Sequence, residues 1–370
     1  MLTGGGVTRT ETAPRTVVRV SIEDRKVRPA ERRLGRVGRW RRAGGTSRRT
    51  ARTRGRVLAS IAVLVSALMA FPGLVPNAVG NLGSLLETFL PWAGLAVPVL
   101  MVPALLRRSA TATVSLVLPA AVWAVLFGDR VLPAARETAH DLTVVQHNVG
   151  DDNADPQGTA RTLAGAGADL IALEELTPEA LPVYGAVLTP AHPHHAVVGT
   201  VGLWSRHPIV DSRPVDIRPA GVEGDWNRGM RSTVRTPFGD IAVYVAHLPS
   251  VRLRLPGGFG SGWRDESAAA LGTAIAAEEL DGIVLMGDFN GTLDDRGLAP
   301  VTSRMTPAQE GFGFSWPAAW PLARIDHVMT RGMVPAGTWT LPATGSDHLP
   351  VAARIRRGTP EGRGGSSAPP

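Results

Sequence analysis

Apolar residues follow two rhythms along this chain. Between 57 and 127 they form three long uncharged runs, Val57 to Val75, Thr88 to Leu106 and Ala110 to Phe127, and the intervals between them hold only Glu87, Arg107 and Arg108 as charges. Each run meets or nearly meets the length that crosses about 30 Å of hydrocarbon at about 1.5 Å per residue, so this rhythm predicts three transmembrane helices. After residue 141 the apolar residues come in short bursts. Leu142 to Val145, Leu170 to Leu173, Ile241 to Ala246, Ile283 to Met286 and Val351 to Ile355 have strand length, and Gly158 to Gly167 and an Ala-rich stretch from Arg264 to about Glu279 read as helices between them. Strands alternating with helices predict an α/β fold.

Polar clusters sit where those bursts stop. Gln146-His147-Asn148 follows the first, Glu174-Glu175 the second, His247 the third and Gly287-Asp288-Phe289-Asn290 the fourth. Arg324-Ile325-Asp326-His327 and Ser346-Asp347-His348 come further on. Open α/β structures place their chemistry at the carboxyl ends of strands. An aspartate beside an asparagine is ordinarily a turn, but a whole set of such clusters can converge on one metal and phosphate site.

Charge adds an asymmetry. The net charge is +7, yet residues 1–56 alone hold 17 Arg and Lys against 4 acids, which leaves the rest net acidic. The basic Gly-, Thr- and Pro-containing arm predicts a disordered cytoplasmic segment. Three crossings (57–128) would then carry a tether (129–141) and a globular domain (142–357) to the outer side, giving a multi-pass protein of the cell membrane with an extracytoplasmic domain. Residues 358–370, rich in Gly, Pro and Ser, predict a disordered tail. There is no cysteine, which excludes a disulfide scaffold and thiol chemistry. His192, His194 and His195 lack a convincing fourth zinc ligand and read as a substrate-side or solvated loop. The Arg252 to Trp263 loop alternates Arg with Leu and reads equally as a lipid-interface loop or as a mobile one.

The ordered series Asn148, Glu175, Gly202 to Pro208, His247, Gly287 to Asn290, Arg324 to His327 and Ser346 to His348 resembles the motif series of the endonuclease/exonuclease/phosphatase superfamily, over about residues 140 to 357. That resemblance implies a two-sheet α/β sandwich, here preceded by the three membrane helices, and Mg²⁺ (or Mn²⁺) as cofactor. It implies Glu175 as principal metal ligand, with Asn148 and Asp347 assisting. Asp288 would orient and deprotonate the attacking water, and Asn290 would donate to the phosphoryl oxygens. Asp326 would pair with His348, as a phosphate-contacting cation or an acid/base. His247 resembles the phosphate-contacting histidine of the phosphatase-like branches, and Arg264 a phosphate clamp or a partner of a ligand side chain. Gly150 stands where an acidic residue is frequent, which favours one metal over two.

Three function classes follow. The leading one is a membrane-anchored phosphoesterase cleaving a phosphate ester or pyrophosphate of an envelope lipid, resembling the membrane-bound branch associated with glycopeptide and teicoplanin resistance. An extracytoplasmic nuclease is the alternative, with nucleic acid held to be an unlikely partner on the ground of the acidic post-arm charge. An inactive anchored binding module is the third.

Overall fold

The computed structural model describes residues 55–131 and 139–358. The arm up to residue 54, the middle of the tether (132–138) and the tail from 359 lie outside the described residues. Five helices come first: α1 Gly55–Ala70, α2 Leu82–Thr88, α3 Ala96–Leu106, α4 Ala110–Ser115 and α5 Val117–Val131. The rest runs β1 Leu142–Asn148, α6 Pro156–Gly165, β2 Leu170–Glu174, α7 Leu181–Leu188, β3 His194–Val198, β4 Val201–Ser205, β5 Ile209–Pro214, β6 Gly229–Thr236 and β7 Gly239–Ala246. After these come β8 Leu253–Arg254, β9 Gly258–Phe259, α8 Gly262–Ala276, β10 Ile283–Asp288, α9 Ala299–Thr302, β11 Thr306–Pro307, β12 Asp326–Arg331, β13 Met333–Thr340 and β14 Val351–Arg357.

Apart from β8 and β9, which pair with each other, the described strands make two mixed six-stranded sheets, ordered β13-β14-β1-β2-β4-β3 and β11-β12-β10-β7-β6-β5. β1 runs parallel to β2 and β7 parallel to β10; their other partners are antiparallel. The period-two alternation of a strand sorts the side chains. Val284 and Met286 of β10 point into the core between the sheets with Val144, Leu170, Val243 and Val245, whereas Ile283 and Leu285 point outward onto Leu271 and Ile275 of α8. On the other sheet Val145, Ile171 and Leu173 meet Leu163 of α6 and Tyr184 and Leu188 of α7. Both faces of the central strands are therefore covered, which explains why they read as unbroken apolar runs. The carboxyl ends of β1, β2, β7 and β10 and the start of β12 share one edge of the sandwich.

The three expected transmembrane helices are corrected. Among the described residues α1 runs from Gly55 to Ala70, ending at Phe71-Pro72, and is shorter than a span. The second run forms one helical stretch, Leu90–Leu106, which does not pass as a span alone; it opens on a 3₁₀ turn holding Pro91 and is bent by 73° from Leu82–Thr88 before it. Among the described residues one helical stretch, the 22 residues Ala110–Val131, is long and apolar enough to cross a membrane, or two if the bent pair counts as one. A core helix passes the same test, so the expectation of a multi-pass protein with its domain held outside a membrane is withdrawn.

These helices also hold the sandwich through polar bonds. Trp92 Nε1 donates to Leu322 O (2.7 Å) and its ring stacks on Phe314 at 5.5 Å. Trp123 and Phe127 pack on Phe312, and Arg130 forks onto Asp294 at 3.1 and 3.2 Å. Glu87, 4 % exposed, takes bonds from the backbone N–H, Nε and Nη2 of Arg296.

An internal ion pair ties the segment just past α8 to the second sheet and yields a stability prediction. Arg231 of β6 grips Glu278 with Nε and Nη2 at 2.9 and 3.0 Å, and Tyr244 donates its hydroxyl to the same carboxylate at 2.9 Å. Burial alone would raise the Glu278 carboxyl, but Arg231, the Leu280 N–H and Tyr244 more than offset it and bring it from its ordinary 4.5 down to about 2. A depressed carboxyl gives stability that is full above the unfolded pKa and is lost as pH falls from about 4.5 toward 2. Glu278→Gln should therefore lower stability at pH 7 by about 2 kcal/mol, after discounting for solvent screening, and flatten the acid limb of a urea-melt series. Parallel wild-type and variant curves across that window would refute the assignment.

Candidate active site

Gly287 begins the site because two strands close on it. Its φ of +153° and the 1.9 Å that would separate an added Cβ from Ala246 O leave room only for glycine where β10 meets β7. The next residue, Asp288, is 1 % exposed. Its Oδ1 accepts the Asn290 backbone N–H (2.8 Å), and its Oδ2 accepts Nδ2 of Asn148 (3.0 Å) and of Asn290 (3.1 Å). Asn290 holds a left-handed φ of +47°, fixed by its Nδ2 bond to Leu248 O (3.0 Å). Burial pushes the Asp288 carboxyl up to about 7; Asp326 adds to this, and His348, the Asn290 N–H and Asn148 pull against it.

Asp326 faces Asp288 as its register partner across β10 and β12. It is fully buried and accepts from His348 Nδ1 (2.8 Å), Ser315 Oγ (2.6 Å) and Gln146 Nε2 (3.0 Å). Burial would raise its carboxyl, but the His348 cation and these donors bring it down to about 2. His348 shows the reciprocal effect: burial works against its charge, yet Asp326 and Asp288 outweigh it and lift the imidazole to about 10. At neutral pH this pair is an aspartate holding an imidazolium, with His348 Nε2 3.8 Å from Asp288 Oδ2.

His247, just past β7, lies 3.6 Å by Nε2 from Glu175 Oε1 and 3.7 Å from Asp288 Oδ2. Neither ring nitrogen has a hydrogen-bond partner among the described residues. Burial first, then Arg228 and His348, lowers it to about 3, so the ring is neutral. Two carboxylates thus flank an uncharged imidazole. Glu175 turns into the cleft on a φ of +57° with its side chain 27 % exposed, and its Oε2 accepts the Asp151 N–H (3.2 Å). Its neighbour Glu174 points inward, fully buried on Gln146 Nε2 (2.8 Å), and burial raises its carboxyl well above the ordinary range.

The structure therefore brings Asn148, Glu175, His247, Asp288, Asn290, Asp326 and His348 together. Asp347 sits at the rim, its side chain 67 % exposed, accepting from Trp316 Nε1 (3.0 Å). Arg264 is not in the cleft: its wholly buried guanidinium lies behind the Asp288–Asn290 loop, bonded to Asp265 (2.7 Å), Asp295 (2.6 Å) and Asn290 O (3.4 Å). His327 faces away, on Gly291 O (2.9 Å). His192, also buried, bonds Ala168 O (2.9 Å), and His195 stacks on Trp204, so that histidine cluster is packing. Sequence reasoning gave Ser315 no role at all and Gln146 none beyond its place at a strand end; a serine inside an aromatic run carries no signal that it orients an aspartate.

Asp288, Asp326 and His348 offer ligand atoms within 4.8 Å of one another, a cluster that could hold a metal ion. The wider donor set also fits a hard cation. It is rich in carboxylate and amide oxygen, and the Glu175 and Asp288 carboxylates have only a neutral imidazole between them where a positive charge would relieve both.

Comparison with known proteins places the chain. No curated protein matches its sequence. Among solved structures, similar ones include an endonuclease/exonuclease/phosphatase from Bacteroides vulgatus (TM-score 0.49, 14 % identity, covering 60 % of this chain and 100 % of that one). Another is the protein of that description from Beutenbergia cavernae (0.46, 18 %, 60 % and 72 %). A third is sphingomyelinase C from Streptomyces griseocarneus (0.45, 18 %, 58 % and 98 %). At such values these likenesses bear no functional weight, and none of them supports the glycopeptide-resistance branch expected from the sequence. The sequence model described as the Endonuclease/Exonuclease/phosphatase family matches residues 145–348. Because that description takes in endonucleases and exonucleases, the expectation that nucleic acid is an unlikely partner is corrected as well. Over more than half its length, from β1 to the imidazolium of His348, the chain belongs to the endonuclease/exonuclease/phosphatase family.

Proposed function

We propose that the chain is a metal-assisted phosphoester hydrolase that attacks phosphorus in line with water. The observation that carries this reading is Asp288, a buried carboxylate aimed by three amide donors and set beside the His348 imidazolium. In this reading water's oxygen bonds to phosphorus as its proton passes to Asp288, and the bond from phosphorus to the leaving oxygen breaks. His348, kept charged by Asp326, and His247 contact the phosphoryl oxygens, and Asn290 donates to them. Glu175 would hold the cation, with Asn148, whose Oδ1 spends one lone pair on the Gly150 N–H (3.0 Å) and keeps another. When bound, Mg²⁺ or Mn²⁺ supplies Lewis-acid stabilisation of charge on the phosphoryl group.

The test is turnover by the purified full chain of monoester, diester and pyrophosphate substrates with Mg²⁺ or Mn²⁺. Hydrolysis that stops on adding EDTA and returns with metal is expected; a chain inert across the panel overturns the reading. A second reading, the lipid-linked phosphate expected from the sequence, has one observation behind it. A cavity of about 410 Å³ lined by Trp92, Trp123, Phe312 and Phe314 has the size and apolar walls for a hydrocarbon chain. The panel therefore carries a lipid phosphate beside single- and double-stranded DNA.

A further inference from the structure

Two stretches meet near the site, one of them the Arg252 to Trp263 loop that the sequence reads equally as a lipid-interface loop or as a mobile one. The segment before β6 brings Trp226 and Arg228, the stretch after β7 brings Ser250, Arg252 and Arg254, the first turn of α8 brings Trp263, and together they line a cavity of about 690 Å³. Its wall holds three arginines and no acid. None of the three has a carboxylate partner among the described residues. The Arg228 guanidinium lies over the Trp226 ring, 5.2 Å from its centre. Hydrogen bonds and the chain itself tie the cavity's lining to the catalytic residues: His247 N–H donates to Arg228 O (2.8 Å), and Leu248, which directly precedes Pro249 of the lining, accepts from Asn290 Nδ2 through its carbonyl.

We infer that this cavity is a subsite for the nucleotide unit adjoining the scissile phosphate, its phosphate on the arginines and its base on the tryptophans. The inference rests on the phosphoesterase reading and deepens it. Guanidinium groups match phosphate oxygens by forked hydrogen bonding, and a flat ring stacks on tryptophan whatever its sequence. A bare hydrocarbon chain would desolvate three unpaired cations with nothing in return. A bare polyanion would leave Trp263, 57 % exposed, without a partner. A strand of nucleic acid supplies both chemistries, and so does a free nucleotide bearing a second phosphate.

The test measures binding apart from turnover. Full-length Asp288→Asn protein with Mg²⁺ is titrated into a labelled oligothymidylate, an abasic oligomer of equal length, thymidine 3′,5′-bisphosphate and phosphatidylglycerol vesicles, read by fluorescence anisotropy or by competition. Adding Arg252→Glu and Arg254→Glu should weaken oligothymidylate about tenfold or more and cut the salt slope by about 0.7 for each arginine removed. Trp263→Ala should weaken oligothymidylate about tenfold, but not the abasic oligomer. Arg252→Lys with Arg254→Lys, which keeps the charge and guards against misfolding, should retain most of the salt slope. Competition by the bisphosphate as strong as by the strand supports the subsite and makes its source a free nucleotide. Unchanged affinity on charge reversal, equal binding of abasic oligomer and oligothymidylate, or competition by vesicles alone overturns it. A wild-type chain that binds but hydrolyses no ester sinks the hydrolase reading and leaves the subsite standing; hydrolysis with indifferent anisotropy does the reverse.

Discussion

Asp288→Asn should reduce kcat by about 10²–10⁴-fold, the usual range for a lost general base, with a much smaller change in KM. The substitution keeps shape but removes the only proposed acceptor for the water's proton. It should not reduce stability in the same measure. Folding holds the Asp288 proton to about pH 7, whereas the unfolded carboxyl loses it near 3.8, so between those values the unfolded chain binds fewer protons and stability falls as pH rises. At pH 7.5 the ionised carboxylate is therefore a cost to the fold, and asparagine relieves it. Against that gain stands one misfit: Asn148 and Asn290 both aim N–H donors at Oδ2 while the Asn290 backbone N–H needs Oδ1, and an amide offers only one oxygen. A melting temperature in metal-free buffer equal to or above wild type, with collapsed turnover, is the expected pair of results. Full turnover would remove Asp288 from the proposed role.

That trade of stability for chemistry marks what the sequence could and could not disclose. The strands β1, β2, β7 and β10 were legible because both of their faces are buried, which makes Leu142 to Val145 or Ile283 to Met286 continuous apolar runs. β3, β5 and β13 were not, since edge strands such as Ile209–Pro214 are mostly exposed and mix polar with apolar residues. The apolar helices misled for a related reason. Composition reports how oily a segment is and not the path it takes: Pro72 interrupts one run, a 73° bend sets the next off from the helix before it, and Trp92 and Trp123 spend their indole N–H groups on Leu322 O and Pro91 O. Polar residues at strand ends were readable as a group because topology alone delivers them to one edge. Where a long side chain goes once it leaves its helix depends on the loop it meets: of the two readings of Arg264, a phosphate clamp or a partner of a ligand side chain, the structure turns it inward, away from the cleft.

Its inward placement gives the second large prediction. The Arg264 guanidinium is wholly buried, 2.6 Å from an equally buried Asp295 carboxylate that also takes the Gly297 N–H (2.9 Å) and faces the Thr88 hydroxyl (3.3 Å). Gly291 and Gly297 make room for it, since an added Cβ would come within 1.9 Å of Nη1 at the first and 2.8 Å of Nη2 at the second. Arg264→Met strands the Asp295 charge away from water, and breaking a buried pair in this way costs about 3–5 kcal/mol. The same change frees Asn290 O, so the catalytic loop loses the contact that holds it from behind and kcat falls as well. Arg264→Lys should recover part of the stability but not the fork that spans Asp295, Asp265 and the Asn290 carbonyl. The decisive variant is Arg264→Met with Asp295→Asn: removing both charges should restore much of the urea midpoint, because the wholly buried carboxylate is gone and Asp265, the ion left without its partner, has its side chain 32 % exposed to water, while kcat stays low because Asn290 O is still unheld. If the double variant regained turnover along with stability, Arg264 would serve only the fold. If Arg264→Met melted like wild type and instead raised KM in proportion to substrate charge, the guanidinium would belong in the cleft after all, and the loop would need another anchor.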